Sequence, residues 1–517
     1  MGNDTTNDAV AEEAAENFTR YAETMGGRVR LNWDERVEMS TNAHHVLFSE
    51  FLSVSGLFDR FVEEAPLVYT SNNAPAKRDV LGTAVLGIVD GAKRFRHFDS
   101  LTGDGVSAEA FGLSKTMSCD SVRRGFIKMD ARAGLAWAFR QNIRCVAPIL
   151  PENYILDLDP TVKTVYGEQE GAEVGYNPHK PGHKSHCYHT MSIASLRIPV
   201  GVIVLPGNET AGTGSIPMLS VFYEAIPKAL RPAVTRGDVS FGKEDVIVAC
   251  ESHGAPYLFK VGRTAKMKAE WRRTMSDPSA WSDAGGGWQV HEFTVRLQGW
   301  TRTRRCVMVR RPDPDMRPGT PPETGLEVGQ LTLQLDLAPQ GNSKLPDGYE
   351  WYTLVTDLDL GAAEVAALYR QRGDCENIFD EMKNQWGWGG FTSHGLGCTT
   401  LVAAIVAVVA NWWNVFTRLG EDGSHREATT SRPLLQRCVA SIGTHAREKV
   451  VTLYVCGKDR THEVFKDIAG FLGRVASASQ LKPEARWMVI VRYAFRLFSF
   501  EKHEFPPWID DQYMLNL

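Results

Sequence analysis

The chain has 517 residues, room for about three domains at roughly 150 residues each. With 43 % hydrophobic and 23 % charged residues it has ample material for a core, which excludes disorder along its whole length. The formal net charge is −5, and that total alone argues against a nucleic-acid binder, a class that usually carries excess Lys and Arg.

The charge is unevenly spread. Residues 1–16 hold Asp4, Asp8, Glu12, Glu13 and Glu16 and no Lys or Arg, so the rest of the chain is formally neutral. This head reads as a mobile solvated tail, with a plug that mimics DNA as the alternative. Nine scattered cysteines, none spaced C-x-x-C, suit a reducing cytoplasm. No apolar leader is apparent. The longest apolar run, 401–410, falls short of the roughly 20 residues that cross a bilayer and predicts a buried helix.

Residues 17–150 read as mostly helical, with helical apolar spacing over 44–64, 80–98 and 112–129 and Ser118 or Asp120 as caps. Two basic clusters stand there: Lys93, Arg94, Arg96 and His97, then Arg123, Arg124 and Lys128. They fit a DNA-binding domain, or equally a helical domain with a solvated basic face.

The pattern changes at Tyr154. Over 151–261, strands are expected at 154–167, 190–210, 233–238 and 255–261, with helices at 217–230 and 243–252. Residues 262–351 hold five of the 13 tryptophans and read as a β-rich insertion. Between Gly262 and Arg311, eleven Lys and Arg face four Asp and Glu, and a proline-rich stretch follows. Over 352–420 a strand near 351–360 leads into one long helix, 362–385; from Leu401 through the last region, 421–517, the chain reads as helical.

Within that long helix, Tyr369, Arg372, Glu376 and Lys383 stand at offsets 0, 3, 7 and 14. At about 100° per residue they share one face within roughly 60°. One carboxylate flanked by two cations and a phenol suits a site that holds a metal and a phosphate, although a solvated face with an Arg372–Glu376 pair would look the same. Asp159 and Asp238 each end a predicted strand. Acids at the ends of separate sheet elements converge on one edge of an α/β layer, where hard divalent cations find oxygen ligands. Asp157 shares the strand parity of Asp159, so both are candidates.

The spacing Tyr-x2-Arg-x3-Glu-x6-Lys at 369–383, with "LDLDPTVKTVYGEQEGAEVGYNPHKPGHKSH", "RGDVSFG" and "VTDLDLGAAEVAALYRQRGDCEN", resembles bacterial insertion-sequence transposases of the DDE type. Within them it is most similar to the insertion-sequence-four superfamily, group thirteen-eighty. The resemblance covers roughly residues 150–420. It implies an α/β fold with a ribonuclease H-like core, interrupted by the insertion between the second Asp and the Glu. It implies that Asp159 (favoured over Asp157 by an Asp-x-Thr pattern), Asp238 and Glu376 hold two Mg²⁺ or Mn²⁺ ions. Tyr369, Arg372 and Lys383 would contact phosphates. The implied partners are double-stranded DNA, as terminal inverted repeats and target, and a second copy in a homodimer. Water would cut at the element's end and the freed 3′-OH would attack target DNA, with a hairpin route known in related enzymes. A DNA nuclease or DNA-binding relative without transposition is the alternative.

Three further candidates stand apart. His179, His183, His186, Cys187 and His189 would make a zinc site, or with Lys180 and Lys184 a basic loop on the DNA backbone, or a neutral loop. Trp300 is a candidate to stack on a flipped base, against packing in the insertion's own core. Arg302, Arg304 and Arg305 read as phosphate contacts or as a solvated strand edge.

Overall fold

The computed structural model describes residues 19–32, 38–151, 153–209, 212–312, 348–420, 423–436, 438–454, 460–478 and 480–496. The expected acidic tail and nearly all of the proline-rich stretch lie outside the described residues, and so does the side chain of Glu376.

The strands in chain order are β1 (Thr19–Thr24), β2 (Gly27–Asn32), β3 (Glu38–Ser40), β4 (Ile155–Thr164), β5 (Glu173–Val174), β6 (Lys184–Ile193), β7 (Ile198–Pro206), β8 (Val234–Gly237), β9 (Tyr257–Val261), β10 (Ser282–Asp283), β11 (Gln289–Val295), β12 (Arg304–Pro312), β13 (Tyr349–Thr356), β14 (Val439–His445) and β15 (Glu448–Tyr454). Ten of them form one mixed sheet in the order β10-β11-β12-β13-β9-β8-β4-β6-β5, with β7 also paired to β6. The pairs β4–β8 and β8–β9 are parallel, and the others are antiparallel. The α/β reading of 151–261 therefore holds at the level of a mixed sheet with covering helices.

Side chains alternate across this sheet and divide it into two faces. Leu156, Leu158, Tyr257 and Phe259 join the large core, together with the helices Ala131–Val146 and Leu396–Thr417. The opposite face carries Val234, Leu258, Val307, Val309 and Leu354, and the helix Ala362–Arg370 closes over it with Val365, Ala366 and Tyr369. Leu396–Thr417 contains the predicted apolar run. By length and composition it could cross a membrane, but 89 % of its most apolar window is buried inside the fold. Its Asn411 amide donates to Asn142 Oδ1 (2.6 Å) and to the Pro199 carbonyl (2.8 Å), which satisfies polar groups deep in the core.

Four expectations change. The insertion contributes the helix Ala265–Thr274, and its strands β10–β12 extend the central sheet because β12 pairs with β13. The N-terminal region is not purely helical: β1 and β2 form a hairpin, and β3 pairs with β14. The C-terminal region likewise contains the β14–β15 hairpin, whose alternating Val450, Thr452 and Tyr454 favour a strand over a helix. The single helix expected over 362–385 is four segments: α-helical Ala362–Arg370, 3-10 Gln371–Asp374, α-helical Cys375–Asp380 and π-helical Glu381–Gln385.

Candidate active site

The parallel register places the acids. Ile155, Leu156, Asp157 and Leu158 of β4 oppose Val234, Thr235, Arg236 and Gly237 of β8, and Arg236 and Gly237 oppose Leu258 and Phe259 of β9. One residue on, Asp159, Asp238 and Lys260 follow in a row across three adjacent strands. Asp238 directly follows β8 and Lys260 is the penultimate residue of β9, whereas Asp159, expected at a strand end, lies midway along β4, which runs on to Thr164 against β6. Alternation puts all three on the face covered by the helix Ala362–Arg370.

Asp157 and Asp159 share that face and have different partners. Asp157 is fully buried in a bidentate pair with Arg236 (2.6 and 2.9 Å), whose guanidinium also donates to the Leu368 carbonyl (2.5 Å). That guanidinium, held by Asp157, ties the sheet to the covering helix. Asp159, one pleat nearer the opening, meets Arg372 at 2.6 Å. Burial raises the Asp159 pKa most; Arg372 pulls it down, Asp238 and Asp157 push it up, and it comes to about 7. Asp238 Oδ1 accepts the Ser240 amide at 2.8 Å.

A cavity of about 1490 Å³ opens over this row, lined among others by Asp238, Lys260, Trp300, Tyr369, Arg372 and Lys383. Tyr369 is buried with its hydroxyl bonded to Arg372, and burial pushes the phenol up to about 12. Burial also lowers Lys260 and Lys383, while Asp238 raises the first and Asp159 the second, so each ammonium senses an acid of the row. Three of the four signature residues therefore meet the two aspartates. The fourth, Glu376, lies in Cys375–Asp380, a segment packed against β4.

Lys260 escaped the sequence reading. Its signal was a lone cation ending the apolar strand "APYLFKV"; only the register sets it beside Asp238. Its Nζ also lies 5.5 Å from the Tyr352 ring centre.

The structure disperses the remaining candidates. Trp300 lines the cavity but is 5 % exposed, with the Arg304 guanidinium 5.2 Å from its ring, so its own packing takes most of its surface. Arg304 is buried between Glu244 and Glu251 (2.5 and 2.8 Å). Arg302 pairs with Glu251, and Arg305 with Glu292. All three arginines line a second, smaller cleft. Lys180 contacts the Tyr166 hydroxyl, and Lys184 pairs with Glu168 at 2.7 Å.

The His and Cys cluster does not assemble around one point. His179 and His183 are exposed ahead of β6, whereas His186 and His189 stand on opposite faces of that strand. His189 is engaged by Ser215 (3.0 Å) and Cys187 (3.3 Å), and His186 by the Glu170 carbonyl (3.0 Å). Among the described residues, three such ligand atoms come within 4.8 Å of one another only at His44, His45 and Asp90.

Residues 28–410 match the family described as Transposase DDE domain group 1. The chain belongs to that family. It is a DDE-type transposase, with DNA as its partner and the divalent-metal dependence general to such domains. No curated protein matches it. Among solved structures it is similar to a piggyBac transposase, in a cryo-EM synaptic complex with hairpin DNA, at 12 % identity and a TM-score of 0.36 over 92 % of this chain and 90 % of that one.

Proposed function

We propose that this transposase is of the insertion-sequence-four type, with a ribonuclease H-like core centred on β4, β8 and β9, and that it cuts and joins DNA at the Asp159–Asp238 row. The observation that carries this reading is one cavity lined by Asp238, Tyr369, Arg372 and Lys383, with Asp159 in register beside Asp238 and paired to Arg372 at 2.6 Å.

The donor set fits hard divalent cations. Asp159 and Asp238 offer only oxygen, and a carboxyl raised by burial and by neighbouring acids is one that a cation would stabilise as the carboxylate. Asp159, Asp238 and Glu376 would hold two Mg²⁺ or Mn²⁺ ions, which supply activation of an attacking oxygen and stabilisation of a leaving one.

The chain's own groups do the rest. Lys260, Lys383 and Arg372 bind the scissile phosphate and its neighbour, spreading the charge that grows in the transition state. Tyr369 fixes the Arg372 guanidinium through their hydrogen bond. The walls of the cavity align the incoming oxygen in line with the bond that breaks. In the first step water attacks phosphorus, leaving a 3′-OH on the element and a 5′-phosphate on the flank. That 3′-OH attacks the opposite strand to form a hairpin and expel the flank; after the hairpin is opened, it attacks target DNA. Each transfer exchanges one phosphodiester for another. Two copies, each holding one end, would pair the inverted repeats, and the N-terminal region with its two basic clusters would bind them.

Cleavage of a duplex bearing the repeats that flank the coding sequence, in Mg²⁺ or Mn²⁺, tests the reading. Activity lost in Asp238→Ala and in Glu376→Ala, with both proteins folded, is expected; retained activity in either overturns the assignment. A denaturing gel tests for the hairpin.

A further inference from the structure

The signature helix has an irregularity that its own residues explain. Between Arg372 and Lys383 the chain passes through 3-10 and then π geometry. A 3-10 turn advances about 120° per residue against about 100° for an α-helix. Over the four residues Gln371–Asp374 that overwinds the helix by on the order of 80°. Continued as α-helix, it would swing Lys383 away from the face that holds Tyr369 and Arg372. The π turn Glu381–Gln385 winds less per residue and offsets part of that overwinding by its middle residue, Lys383, which lines the cavity.

A π turn needs a local cause, since it is otherwise rare. Trp386 N–H donates to Glu381 O across five residues (3.1 Å), and two six-residue bonds, Trp388 N–H to Met382 O (3.0 Å) and Gly389 N–H to Lys383 O (3.1 Å), close the chain just beyond it. What fastens it is the buried carboxylate of Glu381. Oε1 accepts from the Trp386 indole (3.2 Å) and from the Ala428 amide (3.2 Å), and Oε2 meets His425 Nε2 (3.1 Å). His425 is fixed from behind, because its Nδ1 faces Asn414 Oδ1 (3.1 Å), which also accepts from Arg418 Nε (2.8 Å). A second bolt lies at the turn's last residue: Gln385 donates to Glu427 (2.7 Å) and accepts from the Thr429 amide (2.8 Å), while Arg432 bonds the Gln385 carbonyl (2.6 Å) and stacks 4.0 Å from the Trp386 ring centre. The partners come from the helix Leu396–Thr417, from the loop after it and from Ala428–Leu435, all beyond the signature in sequence.

We propose that Glu381 is a positioning residue for catalysis: by clamping the π turn to His425 and the Ala428 amide, it aims Lys383 at the DNA phosphate. Glu381 itself faces away from the cavity. It lies two residues before Lys383, and its carboxylate is spent on three donors. The inference rests on the phosphate role given to Lys383 above.

The test compares wild type with Glu381→Gln, Lys383→Ala and the double variant, using the repeat-bearing duplex with Mg²⁺ for cleavage and the same duplex without metal for binding across salt concentrations. Glu381→Gln keeps an amide oxygen for one donor and replaces the charge that holds His425, so it is milder than Glu381→Ala, and a melting curve for each variant establishes that it folds. Expected are roughly tenfold slower cleavage in Lys383→Ala, a several-fold loss in Glu381→Gln, and a salt dependence of binding shallower by about one phosphate contact in both. The double variant should be no slower than Lys383→Ala, because Glu381 acts through that ammonium. Losses that multiply in the double variant, or full cleavage in Glu381→Gln, overturn the inference while leaving Lys383 in its role. No change in Lys383→Ala overturns the phosphate role and the inference with it.

Discussion

Asn in place of Asp159 tests whether the site is held at the expense of stability. Burial, opposed by Arg372 and reinforced by Asp238 and Asp157, raises this carboxyl from 3.8 to about 7. A folded value above the unfolded one means that folding prefers the protonated acid. The associated stability is fully present below about pH 4 and is lost as pH rises through about 7. At about 1.36 kcal/mol per pH unit the window spans about 4 kcal/mol, an upper bound. The side chain is 16 % exposed and coupled to a second carboxylate, and we take about 2 kcal/mol as the working figure. Asn carries no charge at any pH, and Arg372 stays charged throughout, so whatever that pair loses varies little with pH. Asp159→Asn should therefore gain about 2 kcal/mol over wild type between pH 4 and pH 8, while abolishing cleavage. Urea denaturation of both proteins in a chelator at pH 4, 6 and 8 reads this directly. A stability difference that stays constant across the three pH values would refute the reasoning. Mg²⁺ added at pH 8 should raise the wild-type midpoint and leave that of Asp159→Asn nearly unmoved, because only binding to the folded state stabilises it.

Two other outcomes follow from the same geometry. Arg304→Ala leaves Glu244 and Glu251 without their shared buried cation, and should lower stability by about 3–5 kcal/mol in denaturant unfolding while leaving the salt dependence of DNA binding as in wild type. Lys260→Ala should do the reverse: DNA binding weakens with a salt slope shallower by about one contact, and the unfolding midpoint changes little.

The chemistry-bearing residues were legible because local rules govern them. Alternating apolar residues marked β4, β8 and β9, and each was found within a few residues of its expected bounds. The aspartates were visible as polar interruptions of apolar strands, Asp238 just after β8 and Asp159 within β4. The spacing of Tyr369, Arg372 and Lys383 was read as one straight helix. The residues do meet in one cavity, but along a segment broken by 3-10 and π turns that spacing alone cannot reveal.

By itself, the sequence determined the strand and helix periodicities, the buried run that became Leu396–Thr417 and the set of acids and cations available for chemistry, since these depend on neighbours along the chain. It also showed that the −5 belongs to the first sixteen residues, so the near-neutral remainder is free to concentrate cations around one cavity. Only the tertiary structure decided which of those charges do so. Strand register put Lys260 beside Asp238, and paired Asp157 with Arg236 while Asp159 meets Arg372. Distant carboxylates claimed Arg304 and Arg305, which composition had offered to DNA. A charge's role is set by the partner it meets in space, and those partners lie tens to hundreds of residues away along the chain.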